Sequence, residues 1–151
     1  MEALAVLFMF IYMPALWFGS LYMLARASGW SQLAEKYSCD GPYDGEKKSW
    51  QWARFNKIAY KSCLGIALTP EGLHIEIQPA FLYGFCHPPL CIPWSAIKGV
   101  RECKYWWLRV LECELNDTDV KIMIRISWLE EGKSFFADKL ILKDADQLIG
   151  D

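Results

Sequence analysis

The chain has 151 residues with a formal net charge of −2, 54% hydrophobic and 23% charged. That length suits one ordinary domain, and the apolar content excludes a disordered chain. The missing basic field argues against a nucleic-acid binder, and no Lys/Arg block, low-complexity tract or internal repeat stands out.

Ala3 to Ala25 reads ALAVLFMFIYMPALWFGSLYMLA, without one charged side chain. As a helix it is about 34 Å long, enough to cross a hydrocarbon core of ~30 Å with some tilt. A cleaved signal peptide fits less well, because the leading Met-Glu carries no Lys or Arg and the apolar run is too long for an h-region. Pro14 is tolerable in a membrane helix, usually as a kink. Trp30 is well placed for the membrane interface. Glu2 lies on one flank; Arg26, Lys36, Lys47 and Lys48 lie on the other. The positive-inside bias therefore expects a single-pass protein with its C-terminal domain in the cytoplasm, in the inner membrane if the source is bacterial.

The expected organisation is a transmembrane helix at 3–25, a short helix and linker at 26–49, and a β domain at 50–151. Ser31 can cap a helix over Ser31–Tyr37, and Cys39 to Lys48, rich in Gly, Pro and charge, reads as a linker. Trp50–Tyr60 is a plausible first strand. Leu64–Leu68 and Leu73–Ile77 flank Thr69-Pro-Glu-Gly72, whose Pro and Gly suit a type I turn, so a hairpin is expected. His74 and Glu76 fall on its polar face. Pro88, Pro89 and Pro93 restrict the next crossing to an edge or rim. Trp94 to Ile97 reads as one tight turn, and Val100–Tyr105 and Leu108–Leu115 as strands. Val120–Trp128 alternates cleanly, with Val120, Ile122, Ile124, Ile126 and Trp128 on one face. Ser134–Leu142 reads as a helix capped by Ser134, or Lys139–Leu142 as a last strand. Short antiparallel strands without strand–helix alternation predict a closed barrel, or alternatively a β-sandwich.

The segments LGIALTPEGLHIEI (Leu64–Ile77) and PPLCIPWSAIKGV (Pro88–Val100) resemble those of bacterial proteins with a pleckstrin-homology-like barrel. The apolar segment followed by SGWSQLAEKY (Ser28–Tyr37) is similar to the start of small uncharacterised bacterial membrane proteins. The resemblance implies a PH-like barrel whose open end a C-terminal helix plugs. It carries no catalytic residue and implies no activity.

Cysteines stand at 39, 63, 86, 91, 103 and 113. A domain of this size can bury a core without staples, and a cytoplasmic side is reducing, so free, mostly buried thiols are expected. Cys86, His87 and Cys91 are the tempting cluster, but C-H-x₃-C is not a zinc-knuckle spacing, and neighbours on a strand point to opposite faces. No metal, cofactor or catalytic residue is therefore assigned. Known nucleotide, hydrolase and metalloprotease signatures are missing. Trp50, Trp52, Trp106 and Trp107 read first as barrel core. The sharper reading makes Trp50 and Trp52, with Lys47, Lys48, Lys57 and Lys61, a patch facing anionic headgroups. The resulting expectation is a membrane-anchored, non-catalytic binding module recognising a protein partner or an anionic lipid. The alternative is a thiol- or metal-dependent enzyme centred on Cys86, His87 and Cys91.

Overall fold

The structure is a computed structural model, and it describes residues 1–79, 84–125 and 133–136. Helix α1, Glu2–Ser28, has 27 residues and runs unbroken through Pro14. It is long and apolar enough to cross a membrane, and only 6% of its most apolar window is buried. Near its C-terminal end Leu21, Ala25 and Ser28 are buried against the rest of the chain.

Gly29 ends α1 in the left-handed region, with φ 85°, and its N–H returns to the Arg26 carbonyl. A side chain here would be strained by that φ, and a Cβ would meet Val120 Cγ2 at 2.7 Å. The chain therefore turns sharply into α2, Trp30–Tyr37. This helix begins at Trp30 rather than at a Ser31 cap; the Ser28 hydroxyl instead accepts the Trp30 N–H at 3.3 Å.

Seven strands follow: β1 Lys48–Phe55, β2 Ile58–Leu68, β3 Gly72–Ile77, β4 Leu90–Pro93, β5 Ile97–Tyr105, β6 Leu108–Leu115 and β7 Ile122–Arg125. They form one antiparallel sheet in the order β4-β3-β2-β1-β7-β6-β5. Its two outer strands, β4 and β5, are consecutive in the chain and joined only by the 3₁₀ turn Trp94–Ala96. So short a connection between opposite edges is possible only because the sheet curls. The result is a half-barrel, not two stacked sheets.

The expected β2–β3 hairpin is present, pairing Leu64 with Ile77 and Leu68 with Leu73 around a turn held by Thr69 and Gly72. The tight turn falls at Trp94–Ala96 and β6 covers its expected span, whereas β5 begins at Ile97, three residues before the expected Val100. The single strand expected over Trp50–Tyr60 is instead two, because Asn56, with φ 52°, turns the chain and pairs Phe55 with Ile58. Asn is among the few residues that adopt that conformation cheaply. Of the alternating run from Val120, the strand covers Ile122–Arg125 with Ile122 and Ile124 inward, while Ile126 and Trp128 lie outside the described residues. The helix-or-strand alternative after Gly132 is described only as the short helix α3, Lys133–Phe136, whose Phe135 stacks on Trp94.

The core joins the curled sheet to the end of α1 and to α2. Trp30, Leu33, Phe55, Leu64, Ile66, Ile92, Ile97 and Ile122 are fully buried in it. Trp30 is therefore not an interface residue. Its ring packs on Phe55, Tyr60 and His87, and its Nε1–H donates to the Pro88 carbonyl at 3.0 Å.

Candidate functional site

The expected linker does not hang free. It folds back along the β3–β4 edge, where Ser38 bridges to Leu90 and the Cys39 N–H donates to the Pro89 carbonyl at 2.9 Å. This return brings Cys39 onto Cys91, and the two are joined as a disulfide with a Cα–Cα distance of 5.8 Å. On β3, His74 is the register partner of Cys91, and its Nδ1 lies 3.0 Å from the Cys91 sulfur. A disulfide sulfur carries no proton, so Nδ1–H is the donor in this state.

The polar face of β3 is covered by the same loop. The Tyr43 ring stacks on His74 with centroids 4.6 Å apart, and the Tyr43 N–H donates to Glu76 Oε2 at 3.2 Å. Lys47 Nζ sits 2.6 Å from Glu76 Oε1 and also donates to the Tyr43 carbonyl at 3.1 Å. His74 and Glu76 are thus half-buried or buried rather than solvated. Burial, opposed by Glu71, pushes the His74 pKa down, which keeps the imidazole neutral at neutral pH. Between loop and strand lies a cleft of about 500 Å³ lined by Cys39, Asp40, Tyr43, Lys47, His74 and Glu76. That volume is within the range of small-ligand pockets.

Two chemistries are open to this arrangement. Oxidised, Cys39–Cys91 is a latch that fastens the loop over the sheet edge. Reduced, the two sulfurs and the imidazole nitrogen, all within 4.8 Å of one another, supply three ligands of the type zinc takes.

The sequence cluster Cys86, His87 and Cys91 does not converge. Only Cys91 belongs to the cleft's thiol group. His87 is 1% exposed in the core, with Nε2 2.9 Å from the Tyr60 hydroxyl, which in turn donates to Ser28 Oγ at 3.0 Å. Cys86 is a free, half-buried thiol packed against that core. The expectation of wholly free cysteines is corrected by the Cys39–Cys91 bond, although Cys63, Cys86, Cys103 and Cys113 are free. Burial raises the Cys63 and Cys103 thiols and pushes Cys113 up to about 12, so all three stay protonated at neutral pH.

The aromatic and basic candidates are divided by the fold. Lys57 lies in the β1–β2 turn beside Asn56, Lys61 is exposed on β2, and Lys47 is committed to Glu76. Trp50 and Lys48 lie toward the other end of β1, seven and nine residues from Lys57, which at ~3.3 Å per residue is about 23 and 30 Å along the chain. Trp50 takes φ 58° where the β1–β2 register shifts, so it and Trp52 do not follow simple alternation. The Trp52 ring lies tilted against Tyr105 with centroids 5.7 Å apart, and Arg54 lies over the same Tyr105 ring at 4.8 Å. Tyr105 adjoins Trp106, and Trp106 adjoins Trp107, at 6.4 and 5.4 Å. Trp106 and Trp107 are 76% and 80% exposed, so these two rings are surface and not barrel core, while Trp52 and Tyr105 are half-buried. Cys39 and His74, the site residues that sequence reasoning missed, had no local signal, since only the β3–β4 register and the loop's return bring them to Cys91.

Comparison with protein-family models and with curated proteins finds no match.

Proposed function

We propose that the chain is a membrane-anchored binding module, in which α1 spans the bilayer and the half-barrel recognises a protein partner or a lipid headgroup. The observation that supports it best is the surface of α1: Leu4, Phe8, Phe10, Ile11, Met13 and Trp17 are all exposed, on a helix that meets the domain only near its end. Water does not tolerate so long an apolar cylinder, and a bilayer does. The PH-like reading of the half-barrel agrees with a recognition role and rests on the sequence resemblance. For recognition, the exposed Trp106 and Trp107, next to the half-buried Tyr105 and Arg54, have the aromatic and Arg composition favoured at protein interfaces, which favours a protein over a headgroup.

Sidedness turns on Cys39–Cys91. Flanking charge favours the cytoplasm, where the pair would be two thiols; on an oxidising side Cys39 and Cys91, with Cα atoms 5.8 Å apart, are placed to stay bonded.

Alkaline carbonate extraction of membranes tests the anchor. The intact chain is expected in the pellet, and its release at full mass would overturn the reading. The Trp106→Ala/Trp107→Ala double variant tests the recognition surface. It is expected to stay folded while losing any cross-linked neighbour seen with the parent chain in membranes; an unchanged cross-linking pattern would move the recognition site elsewhere.

A further inference from the structure

We propose that residues 84–88, on the approach to β4, are a second membrane element, with Phe85 inserted among the acyl chains of the domain-side leaflet. This inference rests on the reading of α1 as a membrane span.

The starting observation is a contact between two apolar residues that water would not select. Phe85 is 75% exposed, and its ring packs edge-on against Phe18 of α1 with centroids 5.4 Å apart. Phe18 precedes Arg26, the first charged residue after the apolar segment, by eight positions. At 1.5 Å per residue that is about 12 Å further down the helix. One leaflet of a ~30 Å hydrocarbon core is about 15 Å deep. A helix that spans the bilayer with Arg26 at the headgroups therefore carries Phe18, and the Phe85 touching it, into hydrocarbon.

The base of the connection is fixed to the end of α1. Trp30 Nε1–H holds the Pro88 carbonyl at 3.0 Å, and His87 contacts Tyr60, which bonds Ser28. These bonds hold His87 and Pro88, and with them Phe85, close to the end of the helix. Where it turns back, the His87 N–H is accepted by the Gly84 carbonyl at 3.3 Å, which lowers the cost of taking backbone toward lipid. The sequence suits the same environment: between Glu76 and Lys98 there is no Asp, Glu, Lys or Arg. Basic groups gather instead at the junction. Arg26 is in the last turn of α1, and Lys57 follows Asn56, whose side chain bonds the Ser28 carbonyl. An apolar tip beyond a basic collar is the pattern of an interfacial anchor.

Two attachment points, α1 and the Phe85 loop, would fix the rotation of the half-barrel about the helix axis. The face it presents to a partner is then set by the membrane.

Site-specific photo-cross-linking of the full chain in phospholipid membranes tests this. The photoreactive p-benzoylphenylalanine replaces Phe85 in one sample, Phe18 in a second and Glu71, an exposed acid in the β2–β3 turn, in a third. Lipid adducts are read by mass. Adducts are expected from positions 18 and 85 and not from 71. Adducts from 18 without adducts from 85 would overturn the inserted loop and leave the span intact. No adduct from 18 would overturn the span, and the loop with it. Cross-linking from 85 to a second copy of the chain would replace lipid by a dimer contact and also overturn the proposal. Because Phe85 is exposed, the replacement disturbs no core packing, and unaltered protease resistance of the three samples confirms that they fold alike.

Discussion

The Asn56 side-chain amide donates to the carbonyl of Ser28, the last residue of α1, at 3.2 Å. The same side chain accepts the Lys121 N–H through Oδ1 at 3.1 Å, and its backbone N–H donates to the Lys121 carbonyl at 2.9 Å. One residue thus satisfies a carbonyl orphaned at a helix end, forms the β1–β2 turn and fixes the approach to β7. Asn56→Asp keeps the turn conformation but sets a carboxylate against the Ser28 carbonyl, and loses the donor. A destabilisation of about 1–3 kcal/mol is expected, read as a lower denaturant midpoint. Asn56→Gly should cost a similar amount through both lost bonds, although it tolerates the positive φ. If either variant melts like the parent, the junction is not held by this residue.

The β2–β3 hairpin was legible because its turn chemistry is local: Pro70 and Gly72 suit the turn without reference to the rest of the chain. The break at Asn56-Lys57 was hidden because that pair lacks the glycine of the strongest hairpin signals, and its left-handed residue is held by distant partners, Ser28 and Lys121. Trp30 shows a different limit. A tryptophan just beyond an apolar helix suits a membrane interface or a core equally well by composition, and only packing against Phe55 and Tyr60 distinguishes them. Trp106 and Trp107 erred in the opposite direction, since bulk alone argues for burial and a two-residue hairpin end puts both outside. The cleft was the least legible, because Cys39, His74 and Cys91 come from a loop and two strands.

Thiol counting tests that cleft. Alkylation of denatured, freshly lysed cells should label two more cysteines per chain after reduction than before, the pair being Cys39 and Cys91. Cys91→Ser should abolish the difference and lower stability by about 2–4 kcal/mol, as loss of a bond closing a long loop does. Equal counts with and without reductant would place the domain on a reducing side. Cys39, His74 and Cys91 would then be thiols and imidazole available to a metal.

Burial of two neutral acids gives the fold an alkaline limit. The Tyr60 phenol is pushed from 10.0 up to about 12 by burial, with the Ser28 hydrogen bond opposing and Cys63 adding to the rise. Burial, aided by Glu112, lifts the Cys113 thiol from 9.0 to about 12. Both groups ionise earlier in the unfolded chain, so the unfolded state binds fewer protons over this interval. Their contribution is fully present below pH 9.0 and declines as pH rises toward about 12. Denaturant midpoints measured across that window should fall. Cys113→Val should flatten the fall from its lower end and Tyr60→Phe its upper part. A midpoint that holds steady through the window would mean that these groups are solvated in the folded chain.

The core also sets where the chain can be cut. A fragment beginning at Lys47 keeps every strand but loses α2 and the end of α1. Trp30 and Leu33 are both 0% exposed, and Ala25 is 1% exposed, so this cut opens the half-barrel at its centre. Truncating a buried Trp costs about 3–5 kcal/mol and a buried Leu about 2–5 kcal/mol. Together these approach the whole stability of a typical domain, about 5–15 kcal/mol. The Lys47 fragment is therefore expected to lack a cooperative melt. A fragment beginning at Leu24 retains Ala25, the Ser28–Tyr60–His87 hydrogen bonds and the Trp30 bond to Pro88, and should melt cooperatively. Calorimetry of the two fragments, in detergent to shield the exposed helix stub, decides the matter. A cooperative transition for the Lys47 fragment would show that α2 only lies against the sheet. A transition found solely in the longer fragment would make the junction part of the domain, with the helix end, α2 and the half-barrel folding as one unit.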